Sequence, residues 1–542
     1  MRSDKKIRTG MDSMQRKTLL ILLILSILYF LAFIPANFAA SENIEMVRVF
    51  EPDEAVPLPY VLNMIQPADT FKDAIKNFIF YKYYFYGYPF FAFSALVLLP
   101  LKAVGHLGNM PVIMLLLRQM VSVLPMILSI WILVYLQTRL RGYRAVVLML
   151  FLFSISAAIQ NNFWWHPDGL AILFAMLTLF FLERDQLAFG KDFYLAAAMC
   201  GISAGIKGVG FYFFLAVFVY LMTGLFSKKI TAGRMIAAAL GFLGCMAGAY
   251  LTANPGLVFA SVRKDYFGVM AEQSQLLTLG YTVIREKGPA AALPQMMNDF
   301  ASLPTLVIVL GAGVWGAARG PRRLLGKIIL AWAIPLTVMV LFLIHYKFQY
   351  WLPAALPLFS SLALILPAGE ELKKPGKNLT LIQAGRLLLM GTLLFALGAN
   401  LQGGCKMLTQ RLRRGEDSPA INFQVKTMQA LQPLPGENDF NILADIRLYT
   451  PPHGNWYFEG TFGDINYEFI QQRGFDVLLI ARQRELDYLN QGVEGIDPQS
   501  FSEIKAFYRD VRKGEVDGYR LQYQDEFGFV FILDRQYERY FQ

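Results

Sequence analysis

Apolar residues in this chain gather into long runs separated by short polar links. Several runs reach the roughly 18 to 20 residues that an α-helix needs to cross about 30 Å of hydrocarbon. The first covers about residues 18–38 and follows Lys5, Lys6, Arg8, Arg16 and Lys17. Its length and the lack of a small-residue cleavage site read as an uncleaved first helix rather than a signal peptide. Further runs lie near 111–137, 144–163, 167–183, 193–206, 209–226, 234–253, 303–319, 326–345, 350–367 and 384–402. Together they predict a polytopic α-helical membrane protein of about eleven transmembrane helices. The stretch 88–104 is barely long enough and is interrupted by Pro100; the number becomes about twelve if it spans. No run shows the alternation of an outer-membrane barrel strand.

Basic residues arbitrate the sidedness. Arg139, Arg141 and Arg144 lie between two strong runs and belong in the cytoplasm, because cytoplasmic links collect Lys and Arg. That choice leaves 88–104 along the interface or re-entrant. The other links then alternate, with Arg184 and Lys191, Lys228, Lys229 and Arg234, Arg319, Arg322 and Arg323, and Lys373, Lys374 and Lys377 inside. Residues 1–17 form a cytoplasmic amino terminus, 18–403 the transmembrane domain with external loops 41–110 and 255–302, and 404–542 an external domain. Lys406, Arg411, Arg413 and Arg414 oppose this scheme, because they follow the last span on the predicted outside. The carboxy-terminal region alternates candidate strands (Phe440–Ile446, Asp476–Ala481, Phe527–Leu533) with helical stretches near 464–473 and 498–512, which predicts a small α/β domain.

Composition agrees with the pattern. Of 542 residues 55% are hydrophobic and only 17% charged, too apolar for a soluble globular chain of this length. The formal charge of +10 is spread in short clusters between apolar runs, so it orients helices rather than binding nucleic acid. Cys200, Cys245 and Cys405 are far apart and suggest neither a disulfide framework nor a thiolate metal site. No internal repeat of the transporter kind is visible.

Ionisable residues at the ends of apolar runs are functional candidates, because hydrocarbon makes them costly without a polar cavity. Four clusters qualify, all on the predicted outside. Glu51, Asp53 and Glu54 surround Pro52 after the first helix and supply either a general base or a solvated acidic turn. Trp164, Trp165, His166, Pro167 and Asp168 open a later span; they read as a membrane-interface belt with a helix cap, or as groups that line a substrate cavity. No cofactor is expected, and a divalent cation is compatible with His166 and Asp168 although no motif specifies one. Lys207 between Gly205 and Gly208 is either a snorkelling anchor or a cationic point for a lipid phosphate. His345, Lys347 and Tyr350 form either a Lys-and-aromatic belt or a second phosphate site. An external carboxylate beside lysines at the headgroup level suits an amphipathic donor with a phosphate leaving group.

These residues carry a resemblance. The acidic Asp53-Glu54 pair after helix one, Pro167-Asp168 opening a span, a small-residue helix ending in Lys207, and Tyr350, Pro353 and Pro357 before another span resemble the glycosyltransferase C superfamily. The chain is most similar to the branch of protein O-mannosyltransferases and the lipid A aminoarabinose transferase, over roughly residues 15–405. The resemblance implies transfer of a sugar from a polyprenyl-phosphate donor to a hydroxyl of a lipid, glycan or protein, at the outer face of the inner membrane. It implies Asp53 as the base, Glu54 as its acidic neighbour, Lys207 as a donor-phosphate ligand and Asp168 in the cavity. Arg263, Lys264 and Glu272 in the 255–302 loop become candidate donor contacts. His345 and Lys347 depart from the basic-basic-aromatic form of that branch. The competing readings are a transporter or flippase for a lipid-linked glycan, a ligase using a diphosphate donor, and a non-enzymatic envelope scaffold.

Overall fold

The computed structural model describes residues 13–279, 287–366, 381–490 and 498–542; the Lys373, Lys374 and Lys377 cluster lies outside them. Each of the eleven apolar runs coincides with a helix or a pair of helices. Ser13–Phe38, Met110–Thr138, Val209–Phe226, Ala232–Ala253, Arg323–Leu343 and Leu388–Arg413 are long and apolar enough on those grounds alone to cross a membrane. Pro289–Asp299 and Leu303–Arg319 add one more if a pair bent by 91° is a single span. The remaining runs make shorter or more polar helices. Asp168–Asp185 and Lys191–Lys207 are packed against each other, with Asp168, Glu183 and Asp185 buried.

Two of the long helices contain a widened turn. Arg118–Val123 and Met339–Leu343 are π-helical, a local insertion of one residue that turns side chains out of the regular helical register. The segment 142–161 breaks at Ile155, whose backbone is extended. The stretch 88–104 is the helix Tyr88–Ala103, with Phe90, Phe91, Ala95 and Leu98 fully buried, so it is part of the bundle. Its entry depends on a backbone contact that only glycine allows. A Cβ on Gly87 would lie 1.6 Å from the Gly205 carbonyl oxygen, and the Gly87 N–H donates to Ile206 O at 3.0 Å. Gly87→Ala is expected to lower the midpoint of thermal unfolding, with a cost at or above the upper end of about 1 to 3 kcal/mol, because the obstacle is backbone and cannot rotate away. An unchanged midpoint would show that the two segments separate freely.

The helix Leu381–Arg413 runs unbroken through the expected boundary at 403/404. The carboxy-terminal unit begins instead near the helix Pro419–Ala430. Its sheet has five strands, β1 (Asn441–Asp445), β2 (Tyr457–Thr461), β3 (Val477–Ala481), β4 (Tyr519–Gln524) and β5 (Gly528–Leu533), in the order β2-β1-β3-β5-β4. β1 is parallel to β2 and β3, and β5 is antiparallel to β3 and β4. Alternate residues face opposite sides. Leu443, Leu478, Ile480, Phe529 and Phe531 pack on Tyr488, Phe507 and Tyr508, while Ile442, Leu479, Val530 and Ile532 pack on Phe423 and Leu431. The sheet is thus covered on both faces, which is why its central strands read as continuous apolar runs. The edge strands β2 and β4 carry polar residues and were not legible.

Candidate functional site

A cavity of about 330 Å³ opens between the bundle and the short helices that follow the first long one. Asp53, Tyr86, His166, Asp168, Lys207, Gln273, Lys347, Gln349 and Tyr350 are on its wall. Six segments far apart in sequence therefore meet at one place.

Pro167 precedes the helix Asp168–Asp185 and puts Asp168 in its first turn, where the helix dipole favours a negative charge. Lys207 ends the neighbouring helix. Gly208, at φ +70°, reverses the chain there, with its N–H on Ala204 O at 2.8 Å, as a left-handed cap requires. The two helix ends face each other. Lys207 Nζ donates to Asp168 Oδ1 and Oδ2, both at 2.8 Å. His166 Nδ1 also bonds the Asp168 carboxylate, and His166 Nε2 is 3.0 Å from the Tyr86 hydroxyl. Trp164 stacks on the imidazole with ring centroids 4.1 Å apart. Asp168 and His166 are buried while Lys207 keeps 18% of its side chain exposed. The lysine is thus held by a buried carboxylate with its ammonium at the cavity wall. Burial and the Lys207 charge hold the His166 imidazole below the usual histidine range, against the pull of Asp168.

A histidine depressed in the native state binds fewer protons there than in the unfolded chain, whose value is about 6.5. Stability attributable to it is complete above that pH and is lost as pH falls through the lower, native value. The unfolding midpoint is expected to drop on acidification below about pH 6.5 more steeply in the parent than in His166→Gln. Parallel pH profiles for the two would count against a neutral, buried His166.

Asp53 lines the same cavity and is exposed, and among the described residues its carboxylate makes no hydrogen bond or ion pair. Lys347 Nζ and Lys207 Nζ lie over the Tyr350 ring, 5.9 and 5.7 Å from its centroid. Two cations and one uncommitted carboxylate thus share a water-accessible space.

The structure separates residues that the sequence grouped. Glu54 does not line the cavity: it is fully buried, with Arg118 Nε on Oε1 at 2.9 Å and Nη2 on Oε2 at 2.5 Å. The Trp165 backbone N–H also donates to it, and Arg118 Nη1 donates to Asn37 O at 2.8 Å. Glu51 faces a different cavity, where Arg411 and Arg414 pair with it. His345 is buried and is not among the cavity residues. In the 255–302 segment Arg263 binds the carbonyls of Leu257 and Val258, and it is Gln273 that reaches the cavity, donating to Phe85 O at 2.9 Å. Arg118, Tyr86, Gln273 and Tyr212 escaped the sequence reading. The tyrosine-rich run Tyr81–Tyr86 was a signal available for one of them. Among the described residues no three His, Cys, Asp or Glu side chains are grouped to hold a metal ion. The carboxylate of the His166–Asp168 pair is engaged by the Lys207 ammonium.

No protein-family model matches the sequence, and no curated protein matches it. Solved structures do match. ArnT from Cupriavidus metallidurans bound to undecaprenyl phosphate superposes with a TM-score of 0.53 at 14% identity, over 95% of this chain and 97% of that one. The archaeal oligosaccharyltransferase AglB from Archaeoglobus fulgidus, in complex with an inhibitory peptide and a dolichol-phosphate, superposes with a TM-score of 0.54 at 11% identity, over 95% and 80%. This chain shares their fold over nearly its whole length, as a polytopic helical membrane protein.

Proposed function

We propose that this chain is a glycosyltransferase that moves a sugar from a polyprenyl-phosphate donor to an acceptor hydroxyl. The observation that carries the reading is the single cavity in which the uncommitted Asp53 carboxylate confronts Lys207 and Lys347. The fold shared with two lipid-phosphate-bound structures supports the donor class.

The donor phosphate lies by Lys207 and Lys347, whose charges stabilise it as negative charge builds on the leaving oxygen. Asp168 and His166 hold Lys207 in place and do not touch the reacting atoms. The acceptor O–H approaches from the Asp53 side. Its oxygen attacks the anomeric carbon, the new C–O bond forms as the bond from that carbon to the phosphate oxygen breaks, and the Asp53 carboxylate takes the hydroxyl proton. Polyprenyl phosphate leaves with the bonding electron pair. Attack from the face opposite the leaving group inverts the anomeric centre. Glu54, tied to Arg118, fixes the short helix Pro52–Ala55 and so positions Asp53. The cavity belongs to the non-cytoplasmic side of the inner membrane, because Arg139, Arg184 and Arg322 gather at the opposite ends of the same helices.

The test is release of free polyprenyl phosphate by purified protein in lipid, from a panel of polyprenyl-phosphate sugars with membrane extract as acceptor. Acceptor-dependent release is expected with one donor sugar. Release of polyprenyl diphosphate alone, from diphosphate-linked sugars offered in parallel, would favour a glycan ligase, and no release of either lipid by folded protein would favour transport.

A further inference from the structure

A second cavity, about 360 Å³, adjoins the first. One aromatic layer divides them: Trp164 lines the second cavity and stacks on His166, which lines the first. Phe348 belongs to the second, while its neighbours Lys347 and Gln349 belong to the first. The same short segment serves both, with Glu51 in the second cavity and Asp53 in the first.

The chemistry of the second cavity is cationic. Arg411 and Arg414, one turn apart near the end of Leu381–Arg413, both pair with Glu51, Arg414 Nη1 at 2.9 Å. Their guanidinium groups are held over aromatic rings, Arg411 at 5.0 Å from Phe163 and Arg414 at 4.7 Å from Phe50. Among the described residues that line the cavity Glu51 is the only carboxylate, so one positive charge is left over within that lining. Arg414 Nε and Nη2 are buried and have no hydrogen-bond partner among the described residues. A buried guanidinium edge without an acceptor is costly, and its planar fork fits the oxygens of a phosphate or carboxylate. The remaining polar lining, Gln160 and Gln410, adds neutral donors and acceptors. The arginines that opposed the charge rule are therefore built into a site.

We propose that the second cavity is the acceptor subsite and that Arg411 and Arg414 recognise an anionic group, phosphate or carboxylate, carried by the acceptor. The inference rests on the glycosyltransferase reading for the word acceptor, and on the cavity alone for anion binding. Glu51 and Asp53 are two residues apart, at most about 7 Å along the chain. An acceptor anchored beside Glu51 extends across Pro52 and offers Asp53 a hydroxyl one sugar ring away from its anion. Glu51 holds the arginines until the acceptor's anion competes for them.

Binding and turnover test the two parts separately. In a Lys207→Met/Lys347→Met background, which silences the first cavity, inorganic pyrophosphate is expected to raise the unfolding midpoint, and adding Arg411→Gln/Arg414→Gln is expected to abolish the shift. Glu51→Gln, which frees both guanidinium groups, is expected to tighten pyrophosphate binding about tenfold, roughly 1.4 kcal/mol; this arm remains decisive if the arginine double variant does not fold. Pyrophosphate shifts that ignore both sets of substitutions overturn the anion site. In the turnover assay, the arginine double variant is expected to raise the acceptor KM about tenfold. Extract treated with phosphatase loses acceptor activity if the anion is a phosphate, and carboxyl-methylated extract loses it if it is a carboxylate. Insensitivity to both treatments overturns the acceptor assignment even if pyrophosphate binds. Anion binding with no release from any donor would instead sink the transferase reading and leave the anion site standing.

Discussion

Asp53→Asn is expected to fold like the parent and to lose turnover by a factor of about 10² to 10⁴, the range that general-base catalysis contributes. The substitution keeps the size and one oxygen of the side chain and removes only its ability to accept a proton. Folding is expected to be indifferent because Asp53 is exposed and, among the described residues, makes no hydrogen bond or ion pair. The donor contacts proposed for Lys207 and Lys347 are untouched, so the loss should fall on kcat and leave the donor KM near the parent value. Single-turnover release of polyprenyl phosphate by purified protein measures this directly. Undiminished release would remove Asp53 as the base and turn attention to other groups in the same cavity.

Arg118→Met is expected to have the largest effect on stability. Glu54 and Arg118 are each 0% exposed, and the guanidinium is the bidentate partner of the carboxylate. Removing one member of a buried pair leaves the other uncompensated, at a cost of about 3 to 5 kcal/mol. The double variant Arg118→Met/Glu54→Leu removes both charges and is expected to recover part of the loss, because the two effects are coupled. Unfolding midpoints of the two singles and the double, in one detergent, give the coupling. A strictly additive double would mean that the pair does not stabilise the fold as a unit. Activity adds a second readout: if Glu54 positions the Asp53 turn, Glu54→Gln, which keeps hydrogen bonding to Arg118, should retain more turnover than Glu54→Leu.

Glu51, Asp53 and Glu54 look alike in the chain, three carboxylates around one proline. In the folded protein they have three different surroundings: a cationic cavity, an open cavity and a fully buried ion pair. Sequence spacing does not distinguish these, because the partners Arg411, Arg414 and Arg118 come from segments 64 to 363 residues away. The arginines after the last span depend on tertiary contacts in the same way. The charge rule counts Lys and Arg by their place in the chain and contains nothing of the folding of Arg411 and Arg414 onto Glu51 and aromatic rings.

The chain pattern alone carries the helical membrane architecture, the α/β character of the carboxy-terminal unit, and the helix ends that bear Asp168 and Lys207, whereas Asp53, expected in an external loop, lies in the short helix Pro52–Ala55. Hydrophobic run length and period are local properties, set by the thickness of hydrocarbon and by helix and strand geometry. The strand edges β2 and β4 and the continuity of Leu381–Arg413 through 403/404 were not legible, since polar edges and long helices that leave an apolar setting break the local pattern. Only the tertiary structure decided which charges face each other. It tied Lys207 to Asp168, buried Glu54 on Arg118, left Asp53 open to the cavity and folded Arg411 and Arg414 onto Glu51. The physical reason is that ion pairing depends on distance and solvent exclusion across separate helices, quantities that no spacing within a single segment contains.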